Sequence, residues 1–335
     1  MIANIAPSRR LRAAVAAAVL CAAVLGAHDA GAQEKPDILG AILALRAVVP
    51  ADARTAETLG TERNGTGVVI DSNGLVLTIG YLILEASEVT LHDGAGGATA
   101  AEVVGYDHRT GFGLLRALKP LGKPLRFGNS QALEALQPVL VVGRGDTEIV
   151  SVAQVTARKE FAGSWEYLLD NAIFTAPAHR RHSGAALVNI AGELLGIGSL
   201  VLAQHVAGGG MIAGNMFVPI DALKPILADL IADGRPSGNG QPWLGLAPEE
   251  VRGHLFVERV SPGGPAEAAG VKPGDLILGI GGQKIGDMAT FFRKTWSLGP
   301  AGIEVPLDIV HAGAPRRVVV KSADRNAWLR VKRSY

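Results

Sequence analysis

The sequence predicts a mostly β protein: two sets of six short strands, each of a size to close into a small barrel, and a smaller third unit behind them. Three observations predict it. Short apolar runs recur along the chain with turn residues between them, the pattern of buried and half-buried strands. Val68-Val69-Ile70 and Leu75-Val76-Leu77-Thr78 flank Asp71-Ser72-Asn73-Gly74, a strong hairpin signal because Asn-Gly accepts the backbone that a tight turn needs. Gly234 to Pro242 is rich in Gly, Pro and Ser and reads as a linker between folded units.

Composition narrows the function classes. A chain of 335 residues suits two domains, and a net charge of +1 gives no support for nucleic-acid binding, which draws on a basic excess. The sequence is apolar and Gly-rich with few aromatics, which argues against disorder. Arg9, Arg10 and Arg12 precede an apolar stretch, Ala13 to Gly26, too short to cross a bilayer, and Ala30-Gly31-Ala32 has the form of a cleavage site. Residues 1–32 are therefore expected to be a signal peptide, with export to a bacterial periplasm and no integral membrane span after cleavage; a short membrane anchor is the alternative reading. Cys21 lies inside this segment, so the mature chain needs no disulfide chemistry. No cofactor is expected, and the histidine spacing matches no standard metal motif.

In chain order, Ile38 to Val49 suggests a helical turn and a first strand. Further strands are expected at Glu88 to Leu91, Ala101 to Tyr106 and Gly113 to Leu118, completing one barrel with the hairpin above. A second set comprises Val139 to Val142, Ile149 to Ala157, Leu168 to Thr175, Ala185 to Ile190, Leu194 to Val201 and Met216 to Ile220. Pro219 to Ile231 shows helical spacing through Leu223, Ile226, Leu227, Leu230 and Ile231, with Asp221 as the expected cap.

Ahead of the strand at Ala185 stands Arg180-Arg181-His182-Ser183-Gly184, a polar, cationic loop that feeds a hairpin. Ser183-Gly184-Ala185-Ala186-Leu187-Val188-Asn189, followed by Gly192-Glu193-Leu194-Leu195-Gly196-Ile197, resembles the nucleophile loop of the HtrA family of serine proteases. Gly65-Thr66-Gly67-Val68-Val69-Ile70-Asp71 and Phe217-Val218-Pro219-Ile220 have near counterparts there too. The resemblance implies that residues 33–233 form a trypsin-like pair of six-stranded β-barrels, with Ser183 at the nucleophile position. It also implies a histidine base after the second hairpin strand and an aspartate that orients it. Tyr81 stands at the histidine position and Gly111 at the aspartate position. Serine is a poor nucleophile without a base, and a neutral tyrosine accepts a proton badly. The oxyanion-hole region is altered as well: Arg181 replaces a glycine that eases the backbone geometry, and His182 an asparagine. His179 and His108 are the other candidate bases, each against the plainer reading of a solvated loop histidine; Asp107 resembles a structural turn residue. The cationic cluster from His179 to His182 reads as an anion seat or as a solvated loop.

Beyond the linker at 234–242, Ser261-Pro262-Gly263-Gly264-Pro265-Ala266, Ala269-Gly270 with Gly274-Asp275, and Ile277 to Ile285 resemble a bacterial PDZ domain spanning 243–325, with 326–335 as a tail. In PDZ domains a peptide adds as a strand and backbone N–H groups hold its terminal carboxylate. The resemblance places that loop at Trp243-Leu244-Gly245-Leu246 and a flanking helix at about Met288 to Trp296, with Phe291, Phe292 or Trp296 shaping the pocket. The implied partners are peptides or unfolded proteins with free apolar C-termini, and other HtrA-family subunits. HtrA trimers commonly use aromatic residues near the mature N-terminus, and 33–54 contains no Phe, Tyr or Trp. Two readings follow: a catalytically degenerate pseudoprotease that binds peptides or misfolded proteins in envelope quality control, or a serine endopeptidase in which another base activates Ser183.

Overall fold

The computed structural model describes residues 37–119, 121–145, 147–205, 210–238 and 240–329. The signal-peptide reading and residues 330–335 of the tail lie outside the described residues.

The first six strands are β1 (Ile42–Val48), β2 (Glu62–Val69), β3 (Leu75–Ile79), β4 (Glu88–His92), β5 (Ala98–Tyr106) and β6 (Phe112–Ala117), with a short helix α1 (Ala56–Leu59) after β1. They close into a barrel in the order β1-β2-β3-β6-β5-β4. The β2–β3 turn forms as its residues dictate. The Asp71 side chain accepts from the N–H groups of Asn73 at 2.9 Å and Leu75 at 2.7 Å, and Gly74 takes φ +82.

The second barrel runs β10-β11-β12-β9-β8-β7. Its strands are β7 (Pro138–Arg144), β8 (Glu148–Gly163), β9 (Tyr167–Ala176), β10 (Ala186–Val188), β11 (Leu194–His205) and β12 (Met211–Pro219). The β8–β9 hairpin extends well past the expected end at Ala157. Its outer half packs on neighbours that local alternation does not announce: Phe161 edge-on to Tyr167 and Phe174, and Ala162 against the core of the C-terminal domain.

The expected helix from Pro219 is shorter: a 3-10 turn at Ile220–Ala222, then α2 (Leu227–Asp233). Asp221 does not cap it. Its carboxylate accepts from the N–H and hydroxyl of Ser130, both at 2.6 Å, and so ties the segment back to the second barrel's entry.

The C-terminal unit is a 6-stranded sheet, β13 (Leu246–Val251), β14 (His254–Val260), β15 (Leu276–Ile280), β16 (Gln283–Lys284), β17 (Glu304–His311) and β18 (Ala314–Lys321), with β13 at one edge. Helices α3 (Pro265–Ala268) and α4 (Met288–Ser297) complete it. Asp287 caps α4, accepting from the Thr290 N–H at 2.7 Å. Leu244, Val257, Phe291, Phe292, Leu307 and Val320 are buried in one core, which Leu168 of β9 joins from the second barrel. Phe291 and Phe292 are 1% exposed, so they build this core rather than line a peptide pocket; Trp296 stacks on Phe292 at 5.6 Å. A last helix, α5 (Arg325–Leu329), turns back onto the first barrel, where Leu329 is buried with Leu84 and Tyr106.

Candidate active site

Ser183 sits on the β9–β10 loop, tied to both barrels. Its carbonyl accepts from the Thr66 N–H of β2 at 2.9 Å, and the next N–H, of Gly184, reaches the Gly198 carbonyl of β11 at 2.9 Å. Across from it, β3 runs into a 3-10 turn, Gly80–Leu82, that carries Tyr81. Arg63 holds this turn from below. It is 5% exposed and donates from Nη1 to the carbonyls of Tyr81 and Leu84, both at 2.8 Å.

The Tyr81 phenolic oxygen lies 2.8 Å from Ser183 Oγ and 2.8 Å from the Ser199 carbonyl oxygen. A carbonyl can only accept. The single phenolic proton therefore goes to Ser199, and the Ser183 hydroxyl is the donor in its bond with Tyr81. Burial pushes the Tyr81 pKa up to about 12, against a smaller lowering by the Ser183 hydrogen bond. Near neutral pH the phenol is protonated, so it holds the serine proton in place without taking it.

Gly111 lies in the turn between β5 and β6 with φ +79, and its carbonyl accepts from the Gly80 N–H at 2.7 Å. A Cβ added there would stand 2.3 Å from the Tyr167 ring. Tyr167, at the start of β9, is 2% exposed, and its hydroxyl is 3.3 Å from Ser199 Oγ. The space beside Gly111 thus holds a phenol ring rather than a carboxylate. Asp107 is a turn residue: it accepts from the N–H groups of Arg109 at 3.2 Å and Thr110 at 3.0 Å.

The loop before Ser183 is committed to internal bonds. The Arg181 N–H donates to His179 Nδ1 at 3.1 Å, while His179 Nε2 lies 3.1 Å from the Ile149 carbonyl. The two partners fix the tautomer: the proton is on Nε2 and Nδ1 accepts. Burial lowers the pKa of His179 and keeps it neutral. The backbone donor two residues before the serine is therefore already used. The Arg181 guanidinium lies against Gly145. His182 is partly buried and its Nδ1 has no partner among the described residues. His108 packs edge-on to Tyr106, with Nε2 at 2.7 Å from Asn326 Oδ1. Among the described residues, neither His179 nor His108 is hydrogen-bonded to Ser183.

The loop at Trp243-Leu244-Gly245-Leu246 precedes the edge strand β13. Trp243 exchanges backbone bonds with Ala323, and the Leu244 and Gly245 carbonyls accept from Ala266 and Ser261 at 2.8 Å. The Leu244 N–H is not free: it donates to Glu166 Oε1, on the β8–β9 turn, at 3.3 Å. Glu166 takes φ +65, unusual for a residue with a side chain, and burial of its carboxyl end pushes its pKa up to about 7 against the opposing pull of Arg325. Tyr167, Ser199, Arg63 and Glu166 carry no sequence signal of a site, since each acts through contacts distant in the chain.

Comparison with known proteins matches this geometry to a family. A trypsin-like peptidase domain is matched over residues 65–197 and a PDZ domain over 256–294. A Haemophilus influenzae protein named as a probable periplasmic serine protease do/HhoA-like is 30% identical over 287 residues, covering 80% of this chain and 60% of that protein. The chain belongs to the HtrA family. The periplasmic serine endoprotease DegP of Salmonella typhimurium is 28% identical over 268 residues, 74% of this chain and 54% of that protein, so the chain spans little more than half the length of such HtrA relatives. Solved structures share the fold. An HtrA-type protease, AlgW with decapeptide, gives a TM-score of 0.54 at 20% identity over 86% of this chain and 96% of that one. A serine endoprotease from Yersinia pestis gives 0.51 at 22% identity, over 85% and 94%.

Proposed function

We propose that this HtrA-family chain is a catalytically silent, exported protein that binds peptides or misfolded chains with free apolar C-termini through its PDZ domain, in quality control of the cell envelope. The observation that carries the reading is the Tyr81 hydroxyl, 2.8 Å from Ser183 Oγ where a base would stand. Two further features support it. Gly111 offers no carboxylate and its neighbouring space holds Tyr167; the Arg181 N–H is bonded to His179 and is not available to an oxyanion. Triad members act as a unit, and what survives without them is about 10³–10⁴-fold over water, below ordinary assays. Periplasmic location is proposed from the names of the relatives and from the Ala30-Gly31-Ala32 cleavage pattern. Association with other HtrA-family subunits is proposed on family grounds alone.

The test is a serine-directed fluorophosphonate probe, with hydrolysis of unfolded casein, applied to the mature chain and to Ser183→Ala. Equal labelling and equal turnover are expected. Ser183-dependent labelling and turnover would establish the endopeptidase reading instead. Mass spectrometry of the exported protein should place its N-terminus at or near Gln33.

A further inference from the structure

Strand addition, the mode of the peptide-binding reading proposed above, needs a free strand edge that offers donors and acceptors at alternate residues. β13 is an edge strand, and among the described residues no strand pairs with its outer side. Two hydrogen-bond patterns fix which of its residues face outward. The Gly245 carbonyl accepts from the Ser261 N–H at 2.8 Å, so Gly245 faces β14 and the next residue, Leu246, faces out. Val257, which pairs with Pro248, turns to the β15 side: it donates to the Asp275 carbonyl and accepts from the Gly274 N–H, each at 2.8 Å. A residue turned to β15 leaves its β13 partner turned outward. The register shift between Ala247 and Pro248 falls on β14, where the two steps from Arg259 to Val257 match one step on β13. The outward set is therefore Leu246, Pro248 and Glu250.

Proline has no N–H, so the middle of this edge presents a carbonyl and no donor. At the next outward position the Glu250 carboxylate accepts from the Met288 N–H at 3.3 Å, which joins β13 to the start of α4, the two elements that flank the groove. A peptide running antiparallel to β13, with its terminal carboxylate at 243–246, sets its last residue opposite Leu246 and its third-last opposite Pro248. The third-last N–H meets the Pro248 carbonyl, and the third-last carbonyl meets no donor. Proline and glutamate on an edge also guard against unwanted pairing. The carboxylate loop reconciles the two roles, since it holds only a chain that ends there.

We infer that Pro248 sets the ligand class of the groove: free C-terminal peptides held over their last three residues, with one ladder bond at the third-last residue, from its N–H to the Pro248 carbonyl. The inference rests on the peptide-binding reading and deepens it by naming the residue that limits what is read.

The mature chain and Pro248→Ala are titrated with a fluorescent decapeptide ending in valine, in free-acid and C-amidated forms. An analogue carries an (E)-alkene in place of the amide between its third-last and second-last residues, which removes the third-last carbonyl. The N-acetylated terminal tripeptide completes the set. Wild type should bind the alkene analogue and the tripeptide within about threefold of the free-acid decapeptide. Pro248→Ala supplies the missing donor and should bind the decapeptide about fivefold more tightly than wild type, the worth of one ladder hydrogen bond, and lose that gain with the alkene analogue. An alkene penalty of fivefold or more in wild type overturns the inference, and the wild-type titration decides this whether or not the variant folds. A decapeptide more than tenfold tighter than the tripeptide in wild type overturns it too. Either result with amide-sensitive binding leaves the peptide-binding reading intact. Absence of binding by wild type to every peptide would refute that reading and the inference with it.

Discussion

Gly111→Ala is the substitution whose cost can be worked most directly from the structure. Two separate effects oppose it. Gly111 holds φ +79, which costs a residue bearing a Cβ about 1–2 kcal/mol. The new Cβ would stand 2.3 Å from the buried Tyr167 ring, far inside contact distance, and overpacking of this kind costs about 1–3 kcal/mol. Together they give about 2–5 kcal/mol, or a fall in unfolding midpoint on the order of 10 °C for a body of this size. The two effects separate in a double-mutant cycle. Tyr167→Leu shortens the side chain and should relieve the clash but not the backbone strain. The cycle should then show a favourable coupling of about 1–3 kcal/mol. Thermal melts and urea titrations of the four proteins measure this. A Gly111→Ala protein within about 0.5 kcal/mol of wild type, or a strictly additive cycle, would refute the reasoning. Gly111→Asp meets the same two obstacles and adds a carboxylate to a site lined by phenols. Tyr81→His with Gly111→Asp is therefore expected to yield no Ser183-dependent casein hydrolysis until Tyr167 is also shortened.

Tyr81→Phe removes the hydroxyl that the Ser183 and Ser199 groups share, and should cost about 1–2 kcal/mol by urea titration while leaving casein turnover unchanged. Arg63→Met strips partners from the buried carbonyls of Tyr81 and Leu84 and should cost about 3 kcal/mol or more, with lost protection around the 3-10 turn seen by hydrogen exchange; a neutral result would show that the turn holds itself. For pH, Glu166 has its pKa raised from 4.5 to about 7 by burial, so folding favours its protonated form. Its contribution is fully present below about pH 4.5 and is lost as pH rises through 7. The melting temperature of wild type minus that of Glu166→Gln should fall between pH 5 and 8, and a rising difference would contradict the assigned burial.

The barrel strands were legible because burial on a curved sheet demands apolar runs broken by turn residues. Asp71 to Gly74 states its turn outright. Length was less legible where support comes from elsewhere: the outer part of β8 is held by Tyr167, Phe174 and the PDZ core, not by its own alternation. Ser183, Tyr81 and Gly111 stood out because their flanks resemble a known nucleophile loop and its partners. Tyr167 did not, since nothing near it in sequence says that its ring fills the space beside a glycine in another barrel. The same holds for Glu166, which reads as an ordinary polar turn residue until Leu244 is placed beside it. The PDZ resemblance offers Phe291, Phe292 or Trp296 for the pocket, and a motif names the helix but not the depth of each ring: Phe291 and Phe292 are buried in the core.

Trp243 and Trp328 lie with ring centroids 4.4 Å apart at 44°, and the Arg54 guanidinium sits 4.3 Å from the Trp328 ring. Two indoles this close and inclined behave as coupled oscillators, so their transitions should split into a paired positive and negative band in the circular dichroism spectrum. One indole opens the loop that meets Glu166; the other belongs to α5. The molecule thereby carries a label-free optical signal for whether its last helix is seated, readable in dilute solution and lost on Trp328→Phe without any added dye.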